Sequence, residues 1–133
     1  MKEYKLIVAG SRDWDNEKLA LNSIVDFQNK YAKERHLHII SGTARGADQM
    51  GEEIAQRFHL PLTRMPADWD THGKSAGYQR NEQMAAKADG ALILWDGQSR
   101  GSKHMYDLAV KYCLDVELVL PTIYRPTQPE TKL

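Results

Sequence analysis

Cysteine is nearly absent from this chain: Cys113 is the sole one among 133 residues, so no internal disulfide framework exists. It lies in "MYDLAVKYC", a helical pattern that predicts a buried, inert thiol, and such cysteine usage suits a reducing cytoplasm. Long apolar runs are missing too. No stretch approaches the ~18 consecutive apolar residues that span a bilayer, and the apolar run of "MKEYKLIVAG" is too short for a signal peptide, so a soluble, cytoplasmic protein without a membrane partner is expected. Net charge is absent as well, with 18 Lys+Arg against 18 Asp+Glu. A zero balance provides no global field to attract an anionic polymer, which argues against a nucleic-acid partner and restricts any anion site to a local cluster. The five histidines form no helix-spaced pair or Cys/His cluster, so neither a metal site nor a cofactor is expected. "HGKS" at 72–75 has the ending of a phosphate-binding P-loop, but Asp68 stands where that motif needs glycine.

What is present is alternation. Short β-branched or leucine-rich runs occur at 5–10, 37–42, 60–66, 91–97 and 116–121 and predict five strands. Between them lie segments with helical spacing, such as Ala47, Met50, Ile54, Ala55 and Phe58, or Met105, Leu108, Ala109, Tyr112 and Cys113. The first helix is expected at about 16–34, with Asp15 as its N-cap. Near-continuous apolar strands separated by crossover helices predict an α/β fold: a three-layer, Rossmann-like, doubly wound parallel sheet of about five strands. One domain is expected over residues 1–121. The proline-bearing segment 122–133 is expected to be an extended C-terminal tail.

In such a sheet ligands bind beyond the carboxyl ends of the strands, where helix N-termini present unpaired N–H groups. The unusual residues fall there: "GSRDW" (10–14), "SGTARGAD" (41–48), "ADWDTHGKSAGYQRN" (67–81) and "WDGQSRGS" (95–102). Each segment carries glycine, which permits close backbone approach, and an arginine: Arg12, Arg45, Arg80 and Arg100, half of the eight in the chain. The candidate contacts are Gly10, Ser11, Arg12, Asp13, Ser41, Gly42, Arg45, Gly46, Asp48, Trp69, Arg80, Asn81, Asp96, Gly97, Ser99, Arg100, Gly101 and Ser102. The carboxylates serve equally well as acceptors for a ligand or as helix caps. Of the tryptophans, Trp95 reads as a wedge between loop and sheet, and Trp69 as either wedge or stacking surface.

Taken together, "GSRDW", "SGTARGAD", "ADW" with "GKSAGYQRNEQM", and "WDGQSRGS" with "HM" resemble the YspA-like, cpYpsA-related members of the SLOG superfamily, relatives of the Lonely Guy (LOG) and DprA proteins. The likeness extends over about residues 6–120. It implies a site for a nucleotide or nucleotide-derived small molecule, used for sensing or sequestration, and small members of the group pair as homodimers or higher homo-oligomers. Leu19, Leu21, Phe27 and Tyr31 of the first helix are the expected pairing face. The alternative the resemblance implies is a LOG-like phosphoribohydrolase cleaving a nucleotide N-glycosidic bond. Arg80, in "RNEQM", would be its catalytic arginine, although His104 and Met105 replace the acidic pair of that family. The motifs are compatible with a binding module and with an enzyme alike. Single-stranded nucleic acid, as in the DprA relatives, is the reading that the zero net charge disfavours.

Overall fold

The computed structural model describes residues 2–121, so the expected tail 122–133 lies outside the described residues. Five strands, β1 (Glu3–Gly10), β2 (His36–Ser41), β3 (Leu62–Arg64), β4 (Gly90–Leu94) and β5 (Asp115–Val119), form one parallel sheet in the order β3-β2-β1-β4-β5. The helices are α1 (Glu17–Tyr31), α2 (Ala47–Arg57), the short α3 (Trp69–His72), α4 (Ala76–Lys87) and α5 (Arg100–Lys111). Strand alternation divides the core. Tyr4, Leu6, Val8, Ile39, Leu92 and Leu94 meet Ile24 and Phe27 of α1 and Ile54 of α2 on one face. Ile7, Ile40, Ala91 and Ile93 meet Met84 of α4 and Met105 of α5 on the other. Removing a side chain such as Leu6 or Ile7 from water contributes about 1.5–3 kcal/mol, and both are fully buried. Among the described residues no helix is long and apolar enough to cross a membrane.

The chain winds outward from β1 through β2 to β3 and then returns to place β4 on the other side of β1. The crevice at the carboxyl ends of β1 and β4 is therefore the topological switch point. β3 is shorter than its apolar run because Pro61 and Pro66 bracket it. Proline cannot donate into a ladder, which leaves this strand on the sheet edge.

Three local expectations are corrected. Asn16, not Asp15, caps α1: its Oδ1 accepts from Leu19 N at 3.0 Å. Cys113 is exposed, because α5 stops at Lys111 and the chain turns through a left-handed residue, φ +59°, at Cys113 itself. Leu114 N then closes the helix end on Ala109 O at 2.9 Å. Of the expected pairing face, Phe27 is unavailable, being 1% exposed in the core, while Leu19, Leu21 and Tyr31 pack partly against the same cluster and keep the rest of their surface in solvent.

Gly51 sets how deeply α2 sits on the sheet. A Cβ there would stand 2.8 Å from Val8 Cβ, so any side chain must push the helix off β1. Replacing Gly51 with Val is expected to lower the unfolding free energy by about 1–3 kcal/mol, the usual cost of overpacking. Urea titration checks this, and an unchanged midpoint would refute the close seating.

Candidate functional site

Ser11 is the anchor from which the site is built. Its N–H donates to Leu94 O at 2.9 Å, its carbonyl accepts from Ala47 N at 3.0 Å, and its hydroxyl accepts from Asp96 N at 2.8 Å. The turns after β1 and β4 and the start of α2 are thereby tied to one buried residue. Gly46, with φ +79°, is the point where α2 begins against the backbone of Ser11 and Arg12; a Cβ there would overlap their carbonyl atoms. Arg12 projects from this junction.

The turn after β2 is held from within. Ser41 Oγ donates to Glu52 Oε2 at 2.6 Å and accepts from Thr43 N at 3.0 Å, while Asp48 Oδ2 accepts from Ala44 N at 3.0 Å. α4 brings Arg80 over the same turn, where Nη1 donates to Gly42 O and Nε donates to Asn81 Oδ1 at 3.0 Å. A Cβ on Gly42 would stand 2.7 Å from Arg80 Nη1 and 2.9 Å from Asp48 Oδ2. A side chain there would have to displace the guanidinium or the carboxylate, which share the space beside the turn.

Two joined hollows result. The outer one, about 460 Å³, is lined by Arg12, Arg45, Arg80, the Gly42–Ala44 turn, Pro66, Ala67 and Trp69. The inner one, about 200 Å³, lies beyond Arg12, Ala44 and Arg80, the residues common to both, and reaches Gly10, Asp48, Asn81, Ser99, Gly101 and Ser102. Trp69 is 53% exposed, and its ring edge lies 3.4 Å from where a Gly77 side chain would begin. Trp14 is instead buried, donating Nε1–H to Asn16 O at 3.1 Å, and Trp95 is half-buried with its indole N–H on Ser99 O at 3.0 Å.

Three of the four expected arginines thus converge, and Arg100 does not: it is exposed at the start of α5 and lines neither hollow. Ser11, Ser41 and Gly46 are scaffold rather than lining. Asp96 caps its own turn, accepting from Gln98 N at 2.8 Å and Ser99 N at 2.9 Å, and Gly97 completes that turn with φ +89°. Asp13 and Asp96 face a separate recess beside Trp14. Met84, Met105, Pro66 and Ala67 line the hollows without having been expected to, since an apolar wall carries no signal in sequence. Gly77 was legible in principle, because it precedes Arg80 by three positions on one helix face.

Burial and charge tune the polar pair. Burial pushes the Asp48 carboxyl up to about 6, against the lowering effects of the Ala44 N–H and of Arg80. Burial pushes the Arg80 guanidinium down, Asp48 opposing and Arg12 adding to it. At Asp96 burial raises the carboxyl, but the N–H groups of Gln98 and Ser99 outweigh it and hold the group below its ordinary value.

The Asp48 shift has a defined sign. Its folded value lies above the ~3.9 of an unfolded aspartate, so the folded state binds the proton more tightly. The associated stability is complete below about pH 4 and is lost as pH rises through about 6. Relative to Asp48→Asn, the wild-type chain is expected to lose on the order of 2–3 kcal/mol between pH 4 and pH 7. Urea unfolding across that range measures it; a difference that does not vary with pH refutes the assignment.

A solved structure of DNA processing protein A from Helicobacter pylori, described for its single-stranded DNA binding mode, superposes with a TM-score of 0.61 over 91% of this chain and 67% of that one. At 17% identity the likeness establishes the Rossmann-like fold. It also overturns two expectations. A nucleotide-derived small molecule as ligand, with hydrolysis of one as the alternative, gives way because this relative in fold is described as binding single-stranded DNA. The inference from zero net charge against nucleic acid fails with it, since a whole-chain balance says nothing about cations gathered in one groove. In sequence, the Gene 61 protein of Mycobacterium phage D29 is 31% identical over 106 residues, covering 75% of this chain and 83% of that protein. The model of the YspA, cpYpsA-related SLOG family matches residues 4–72, and with the four strand-end segments in place the chain belongs to that family.

Proposed function

We propose that this chain binds single-stranded DNA in the outer groove. The observation that carries the reading is the half-exposed Trp69 at the mouth of a groove walled by Arg12, Arg45 and Arg80. Single strands are held by this combination, with cations along the phosphates and an aromatic face on which a base stacks whatever its identity. The DNA described for the structural relative supports the same class of ligand. A duplex hides its base faces and gains little from Trp69, so preference for single strands follows from the aromatic.

Each component has its own expected effect on binding of a fluorescent thymine oligomer. Trp69→Ala is expected to cost about 1–3 kcal/mol, roughly 5- to 150-fold in Kd, by loss of stacking. Arg45→Ala is expected to weaken binding and flatten the dependence of log K on log salt by about 0.7, one phosphate contact. Arg100→Ala, outside the groove, is expected to change neither. Anisotropy titrations at several salt concentrations measure all three. Absence of binding at low salt, or equal loss from Arg100→Ala and Arg45→Ala, would defeat the proposal.

A further inference from the structure

The inner hollow adjoins the groove at Arg12, Ala44 and Arg80, and its chemistry differs from that of the outer part. Its volume of about 200 Å³ is below the roughly 300–1,000 Å³ of pockets that enclose whole small molecules, so it admits one group at a time: a phosphate or a base. A phosphate suits only part of the lining, where Arg12, Arg80, Asn81 and the start of α5 offer donors; the rest opposes it. The Asp48 carboxylate, 5% exposed as a residue, faces the hollow, and the thioethers of the buried Met84 and Met105 in its lining offer no donor. A base fits both features. Methionine packs favourably against an aromatic ring, and Asp48 retains an acceptor: Oδ2 takes the Ala44 N–H, leaving Oδ1 without a hydrogen-bond partner among the described residues. With its carboxyl pushed up to about 6, Asp48 is ionised above pH 7 and acts there as an acceptor.

We propose that the inner hollow receives one base unstacked from the strand lying in the outer groove, and that Asp48 selects a base with an exocyclic amine over thymine. The proposal rests on the groove being the single-strand interface. An ionised carboxylate accepts from the amine of cytosine, adenine or guanine. Thymine presents its one ring N–H between two carbonyl oxygens, which a carboxylate repels. Taking a base out of the stack costs least in a single strand, so the outer groove supplies the substrate in its least expensive form. The outer groove, with Trp69 and cations, holds any sequence, and the inner hollow adds the discrimination.

The test uses the full chain above pH 7 and thymine oligomers in which one central position is thymine, cytosine, adenine or guanine. Replacement of that thymine by an amine base is expected to tighten binding roughly tenfold, the effect of one hydrogen bond to a charged group. In Asp48→Asn the carboxamide oxygen keeps the Ala44 N–H and turns the amide N–H groups toward the base, so the ratio between amine bases and thymine is expected to collapse to about unity or invert. That ratio is independent of any change in absolute affinity, and thermal melting verifies that the variant is folded. Tight binding of the thymine oligomer without gain from any amine base, or a gain that persists in Asp48→Asn, overturns this inference and leaves the groove reading standing. Failure of every oligomer to bind overturns both.

Discussion

The buried main chain and hydroxyl of Ser11 are the constraint on which the rest of the site depends. One residue receives or donates hydrogen bonds to β4, to the turn after it and to the first residue of α2, so three segments distant in sequence share one reference point. Without it, the directions of Arg12 and of the α5 start relative to α2 would be set only by loop sterics. Serine is small enough to occupy the crevice between β1 and β4 and still supplies three polar atoms. It is a supporting residue in a place where serine is easily mistaken for a ligand contact.

A second level of organisation gathers around Gly42. Absence of a side chain lets Arg80 arrive from the far side of the sheet and share space with Asp48, two groups carried by helices on opposite faces. Partial burial raises the carboxyl and lowers the guanidinium, so each group keeps electrostatic reach that water would otherwise screen. Like-charged Arg12 completes the set. The net charge of zero is thus the sum of a surface dotted with exposed ion pairs such as Arg57–Glu17 and Lys103–Asp107 and a groove where cations predominate.

Much of this was legible in the sequence. Strand positions followed from β-branched runs, and their parallel arrangement from the helices between them, since period and length suffice for both. Placing candidate contacts at the carboxyl ends followed from topology alone. What the sequence could not provide was direction. Asp96 and Asp48 occupy similar loops, yet one turns inward to cap its own backbone and the other lines the hollow; Arg100 sits in a strand-end segment like the other three arginines but lines neither hollow. Cys113 illustrates the same limit, because an apolar period continues past the residue where the helix ends. The weight given to net charge misled for a different reason: a sum over all residues discards position, and position decides an electrostatic interface.

Trp69 stands on α3, a four-residue helix with no buried residue, whereas Arg80 stands on the twelve-residue α4 packed into the core. Elements with few buried contacts open locally at low free-energy cost. The indole platform therefore rides on compliant backbone while the Arg80 guanidinium is held by rigid backbone, so for the strand proposed to lie in the groove, adjustment to purines and pyrimidines would fall to the aromatic partner while Arg80 keeps its place.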